Sequence, residues 1–366
     1  MLDSLVLTTY SFDQFLSKKN PRKIAFIIEN QTEWVQTDIS NRIELLSSIY
    51  LVRDMVNTPA SLKYPRKLAE QIMRLPFRNT KVTLMDKKEL ENKWFGLLLG
   101  VSAWSDKDPC VLMFERIIDK NLPTLGLVGK WVTFDAGGLQ IKPGDGMLDM
   151  KSDMAWAATV VGALLALDSR TNLSSNVVAA IGLTENMLGW SAMKPLDILK
   201  SYNGKTVEIW HTDAEGRLVL WDLLGYVEAM YSPESIISVA TLTGAVLHAL
   251  GQNYAGIIWN NQEMIDQILS VHSWMERFWQ LPLDTDMIEK TKGEISDIKN
   301  VTAWYKAGSS MGAAFLTHFV KNSKLVHLDI AWPAYRTDTF GYFPKWGTGF
   351  GVMTLVDFLK KDNSLL

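Results

Sequence analysis

The sequence predicts an α/β fold in which a mixed, mainly parallel sheet is sandwiched between helices. Two observations carry that expectation. From about Leu122 onward, apolar β-rich runs alternate with helical runs, and the densest clusters of charge fall at the ends of the apolar runs rather than inside them. The chain has 366 residues, 47% of them hydrophobic, enough to fill a large core.

The elements follow in order. PRKIAFIIE (21–29) reads as a strand and NRIELLSSIYLVRDMVN (41–57) as a helix, and KVTLMD (81–86) and CVLMFERI (110–117) as further strands. LGLVGKWVTF (125–134) is an apolar run of the kind a sheet covered on both faces requires. Met150 to Asp168 reads as one helix, with Ala and Gly on its packing side. SNVVAAIGL (175–183) and TVEIW (206–210) read as strands and RLVLWDLLGYVEAMY (217–231) as a helix. SIISVATL (235–242) is a strand, SSMGAAFLTHFV (309–320) a helix and LVHLDIA (325–331) a final strand. No internal repeat or biased segment interrupts this order.

Composition excludes several functions. With 37 basic and 40 acidic residues the formal charge is −3, so nucleic acid is not the expected partner. No uninterrupted apolar run approaches the roughly 18 to 20 residues of a membrane span, and a membrane is not expected either. The single cysteine, Cys110, cannot form an intramolecular disulfide, and the N-terminus lacks the basic and apolar regions of an export signal. The expected location is the cytoplasm. The count of 14 Trp is unusual.

Two segments gather charge where a buried strand end would not tolerate it. GKWVTFDAGGLQIKPGDGMLDMKSD carries Lys130, Asp135, Lys142 and Asp153, and HTDAEGRL carries Asp213, Glu215 and Arg217. In an extended segment the last three, at i, i+2 and i+4, project to one side. Clustered carboxylates repel unless a cation neutralises them, and hard divalent metals with oxygen ligands are the common solution. The number of carboxylates suits two metals with a water between them made acidic enough to ionise near neutral pH. Gly137 and Gly138 would let the backbone come close to such a site. Each motif alone reads as a turn or a helix start, TDAEGR with Asp213 as N-cap. Together, in a Gly-rich apolar context, they require unpaired charges to be explained.

At these residues the chain resembles the M17 leucyl aminopeptidase family. That family's signature, Asn-Thr-Asp-Ala-Glu-Gly-Arg-Leu, stands here as HTDAEGRL from His211 to Leu218, with seven of eight positions kept. The upstream block VGKWVTFDAGGLQIKPGDGMLDMKSDM (128–154) precedes TENM (184–187), NGKTVE (203–208), ATLTGA (240–245) and LDIAWPA (328–334). VRDMVNTPA (52–60) is similar to the opening of the family's catalytic domain. The resemblance implies a catalytic domain over residues 51–366. Residues 1–50 would then be a remnant of the family's N-terminal α/β domain with its linking helix.

The same resemblance implies a two-metal-dependent leucyl aminopeptidase that releases N-terminal residues, preferably apolar ones, from peptides with a free α-amine. Lys130, Asp135, Asp153, Asp213 and Glu215 would ligate two divalent ions, manganese or zinc, or magnesium. Lys142 would stabilise the oxyanion and Arg217 would hold a bicarbonate acting as general base. As a ligand, Lys130 must be neutral. Met150, Thr241, Gly244 and Ala331 match the pocket for the N-terminal side chain. A homo-oligomer, trimer or hexamer, is implied too. His211 replaces the family's Asn and is read as structural, and His248, His272, His318 and His327 as packing residues.

The chain departs from the family at tryptophan. Trp104, Trp131, Trp156, Trp190, Trp332 and Trp346 stand where the family has glycine or another small residue. Indoles beside Lys130 and Asp153 would press on the site, because overpacking by even a methylene or two costs about 1 to 3 kcal/mol. The reading adopted is a gene in which UGA encodes glycine, translated as though it encoded tryptophan. Were the tryptophans genuine, the alternative would be a catalytically inactive oligomeric scaffold or binding protein.

Overall fold

The computed structural model describes residues 2–19, 32–259, 261–271, 275–302 and 306–360. The strand expected at 21–29 and His272 lie outside these residues. Eight strands form the main sheet: β1 (Lys81–Met85), β2 (Cys110–Arg116), β3 (Thr124–Asp135), β4 (Asn176–Asn186), β5 (Ser235–Ala240), β6 (Tyr254–Ile258), β7 (Arg277–Leu281) and β8 (Lys324–Asp329). Their spatial order is β1-β2-β4-β3-β5-β8-β6-β7. The central strands β4, β3, β5 and β8 run parallel, β1, β2 and β6 join antiparallel, and β7 pairs parallel with β6. The fold is the expected α/β sandwich, with the parallel part at its centre.

β3 is buried along almost its whole length, so it must present apolar or small residues to both layers. Alternation along the strand sorts them. A Cβ on Gly129 would touch Ala157 of the helix Ala155–Leu167, whereas one on Gly126 would touch Val227 of the helix Gly216–Tyr231. Lys130 therefore shares the second helix's side, and Trp131 turns to the other. The helix Ala155–Leu167 also packs against Glu33–Asn57 and Val352–Leu359. The helix Gly216–Tyr231 packs against Gly96–Ser102 and Gly308–Leu316.

One expectation needs correction. Met150 to Asp168 is not one helix: a 3-10 turn, Met150–Ser152, is separated from the helix Ala155–Leu167. Between them the Asp153 carbonyl accepts the Val132 N–H, which draws that residue toward β3 and out of helical register. The helix also begins within an apolar stretch, 144–167, whose composition alone could suit a membrane span, but most of that stretch is buried inside the fold.

The helix Glu33–Asn57 runs unbroken past residue 50, and Leu45, Leu46, Ile49 and Val52 share one core. Within it Arg53 is buried and donates to the carbonyls of Leu7, Tyr342 and Thr348, joining the chain's two ends. Asp222 is the corresponding tie on the opposite side. Its buried carboxylate accepts the backbone N–H groups of Leu97, Leu98 and Tyr202, and burial pushes its pKa up to about 7.

Asp222→Ala strands two buried N–H donors and one half-buried one, each costing about 1 to 3 kcal/mol when unpaired in the interior. Urea unfolding of this variant is expected to show a loss of at least about 3 kcal/mol. An unchanged midpoint would show that the tie carries no stability.

Candidate active site

The site lies at the C-terminal end of the parallel strands, where an open α/β sheet leaves a crevice. β3 delivers Lys130 and Asp135, and its continuation bends at Gly137 (φ 88°) and Gly138 (φ 65°) to return Lys142 to the same place. A side chain on Gly137 would collide with the Gln140 carbonyl and press on Asp213. The close approach expected of these glycines is therefore present. The Lys142 N–H closes the bend on the Ala136 carbonyl at 3.0 Å.

HTDAEGRL is not extended. Residues 212–213 form a turn, Glu215 occupies the N-cap of the helix Gly216–Tyr231, and Arg217 lies in its first turn. The turn, not strand alternation, brings Asp213 and Glu215 together, and the helical twist sends Arg217 elsewhere. Its buried Nη1 donates to the Asn300 carbonyl at 2.6 Å, while its Nε has no partner among the described residues.

Six charged side chains converge. The Lys130 ammonium lies 2.8 Å from Asp153 and 2.9 Å from Glu215, both nearly solvent-free. Lys142 lies 2.8 Å from Asp135 and 2.5 Å from Asp213. Carboxylate oxygens of Asp135, Asp213 and Glu215 all fall within 4.8 Å of one another, a spacing that could hold a metal ion. Asp153 Oδ1 also accepts from Thr241, but its buried Oδ2 has no partner among the described residues.

Electrostatics record the crowding. Burial and the neighbouring carboxylates push Asp153 up to about 8 and Asp213 up to about 7, despite the lysines. Burial and Glu215 raise Asp135 as well. Glu215 is held below its usual value: burial opposes its charge, but Lys130 and Lys142 outweigh that. The lysines are raised, burial being outweighed by the same carboxylates. Oxygen donors with surplus negative charge in a dry pocket fit a divalent cation.

Lys130, Asp135, Lys142, Met150, Asp153, Asp213, Glu215, Thr241, Gly244 and Ala331 all line one cleft of about 360 Å³. Of the expected residues only Arg217 does not line it. The sequence reading missed the supports. Asn186, at the end of β4, donates to Asp135 at 2.8 Å and to the Thr212 carbonyl at 3.1 Å. Thr212 in turn donates to the Gly137 carbonyl and accepts the Gln140 N–H. Gly216 was missed too: a Cβ there would run into the Lys130 side chain. Asn186 and Thr212 carried a signal only as members of the blocks TENM and HTDAEGRL.

The histidines stay outside the cluster. The His211 ring accepts the Asp213 N–H, His327 is buried against Ser238, and His318 meets Thr291. His248 is exposed at a helix end, contrary to the packing role expected of it. The six charges are intact, and nothing in the cleft favours an inactive scaffold.

Comparison with known proteins agrees with this geometry. The catalytic-domain model of the cytosol aminopeptidase family, Peptidase M17, matches residues 50–356. A probable cytosol aminopeptidase of Phytoplasma australiense is 38% identical over 98% of this chain and 73% of its own length. One from Syntrophotalea carbinolica is 36% identical over 99% and 74%. Among solved structures, the bottromycin maturation enzyme BotP superposes with a TM-score of 0.87 at 31% identity, covering 96% of this chain and 76% of that one. The same enzyme, solved in complex with Mn, gives the same score.

Glu215→Gln removes one charge from the cluster, and Gly216→Ala displaces the Lys130 stem that faces it. Calorimetric titration with manganese is expected to show at least about tenfold weaker binding for Glu215→Gln. Gly216→Ala should also weaken binding. Wild-type affinity in Glu215→Gln would remove that residue from the metal site.

Proposed function

Because the chain belongs to the cytosol aminopeptidase family of metal-dependent aminopeptidases, we propose that it releases N-terminal residues, preferably apolar ones, from peptides by means of two divalent ions held in this cleft. The observation that carries the reading is the convergence of three carboxylates within 4.8 Å beside the orphaned Oδ2 of Asp153. In this reading Lys130, Asp135, Asp153, Asp213 and Glu215 hold the ions, manganese or zinc in preference to magnesium, and the BotP complex with Mn supports manganese. When bound, the ions supply Lewis acidity toward the scissile carbonyl and make a water acidic enough to act as nucleophile.

The chain's own residues do the rest. To serve as a ligand Lys130 would have to lose its ammonium proton, and bound dications would make up the compensating charge that Asp153 and Glu215 would then lose. Lys142 is the more exposed of the two lysines, and once released from Asp135 and Asp213 its charge is free to face the developing oxyanion. Arg217 would hold a bicarbonate as general base through its unpaired Nε, although here its side chain turns to the Asn300 carbonyl and does not line the cleft. The carboxylates of Asp145 and Asp149, which also line the cleft, favour a substrate with a free ammonium terminus. Met150, Thr241, Gly244 and Ala331 are small or apolar, so they suit a side chain such as leucine.

In this reading residues 51–366 form the catalytic domain, and residues 1–50 belong to the family's N-terminal α/β domain with its linking helix. The reading includes a cytoplasmic homo-oligomer, trimer or hexamer. The exposed Leu188, Leu196 and Ile198 of one segment support an apolar contact between copies.

With manganese or zinc present, leucyl-anilide should be cleaved and N-acetylleucyl-anilide should not. Equal cleavage of both would overturn the requirement for a free amine. Lys142→Ala is expected to keep its metal, by elemental analysis, and to lose roughly 10² in kcat, the scale of a lost oxyanion donor. A metal-free Lys142→Ala would instead make this lysine part of the metal site.

A further inference from the structure

We infer that five of the fourteen tryptophans, Trp94, Trp131, Trp156, Trp221 and Trp346, stand at positions where the cell inserts glycine, each encoded by UGA. Backbone conformation carries the argument at two of them. Trp94 has φ 64° and Trp346 φ 78°, the left-handed region that bulky side chains avoid and glycine enters freely. Trp94 also ends the helix Lys87–Asn92 in a particular way. Its N–H bonds to the Glu91 carbonyl, and the Phe95 N–H bonds to the Leu90 carbonyl. These two bonds make a Schellman motif with Trp94 at the C′ position, and the accompanying apolar pair, Leu90 and Phe95, is fully buried. That position is usually glycine. Here it holds an indole that is 72% exposed.

Packing carries the argument at the other three. Among the described residues Trp131, Trp156 and Trp221 are the three largest fully buried side chains, and each buries an indole N–H with no partner there. Buried tryptophans normally find a partner for that group. The Trp221 ring lies with its centroid 2.7 Å from that of Phe319, whereas aromatic pairs settle at about 4.5–7 Å. Trp156 occupies the space a side chain on Gly351 would need. Trp131 does not press on the cleft, as the sequence alone suggested, because strand alternation turns it away from Lys130. Trp104 shares only the last of these marks, its ring filling the space a side chain on Gly189 would need, and Trp190 and Trp332 carry none, so the inference does not extend to these three.

One codon joins these observations. UGA differs from the glycine codon GGA only in its first base and from the tryptophan codon UGG only in its third. A tRNA that decodes UGA as glycine would therefore place glycine wherever a conventional reading of the gene places these indoles.

The five codons in the gene are expected to read UGA, and peptides of the protein purified from its source cell should carry the mass of glycine at all five positions. UGG codons or tryptophan-bearing peptides would overturn the inference. Recombinant W94G and W94A separate a need for glycine from mere loss of an indole. W94G is expected to raise Tm by about 2 °C, and W94A to raise it less, since alanine keeps the Cβ penalty at positive φ. A W94G that melts at or below the parent would also overturn it for that position. None of these readouts depends on peptidase activity.

Discussion

The constraint on which the structure depends is charge balance in a dry pocket. Asp135, Asp153 and Glu215 are buried and Asp213 is half-buried, and the two lysines among them supply only half the compensating charge. Left alone, the pocket takes up protons: Asp153 and Asp213 are displaced into the neutral range because ionising them together is costly. Divalent cations compete with those protons for the same oxygens. Lys130 and Lys142 differ in how they stand toward that exchange. The first is sealed beneath the carboxylates, and the second reaches them from the partly open side of the cleft.

Holding like charges together requires a scaffold that cannot relax away from them. Here the restraint comes mainly from backbone. Asp135 sits at the end of a strand paired on both sides, and it is gripped by the Gly137 N–H and the Asn186 amide. Thr212 and Gln140 lock the two loops to each other through reciprocal bonds. Glu215 is fixed by the start of the helix Gly216–Tyr231, whose other ties are Asp222 and the packing of its apolar face. The glycines at 137, 138 and 216 serve this arrangement by absence: any Cβ would occupy space already held by Asp213, Thr212 or the Lys130 stem.

Glycine in place of the buried indoles would alter the layers around this scaffold more than the cleft itself. Trp131 lies on the face of β3 that packs against the helix Ala155–Leu167, behind the site, and Trp156 lies on that helix against Gly351. Smaller residues there would let helix and sheet close on each other, as Gly129 and Ala157 already do on the same face. Asp153 would feel that closure directly, because its carbonyl bonds to the β3 backbone at Val132.

Fold class and the list of charged residues were legible in the sequence because both are local. A strand covered on both faces must be apolar along most of its length, as 125–134 is apart from Lys130 and Thr133, and a carboxylate cluster in Gly-rich context is conspicuous without coordinates. The edge strand β7 is partly exposed, and its buried neighbour β6 is a five-residue run too short to be told from other apolar stretches, so neither was read. Tertiary structure decided how the charges meet. Asp213 and Glu215 converge through a turn and a helix start, not through the two-residue alternation of a strand, and the same geometry carries Arg217 out of the cleft. It also decided which tryptophans are at odds with their positions, since the sign of φ, an unpaired indole and the space beside Phe319 are properties of packed neighbours rather than of a residue's own identity.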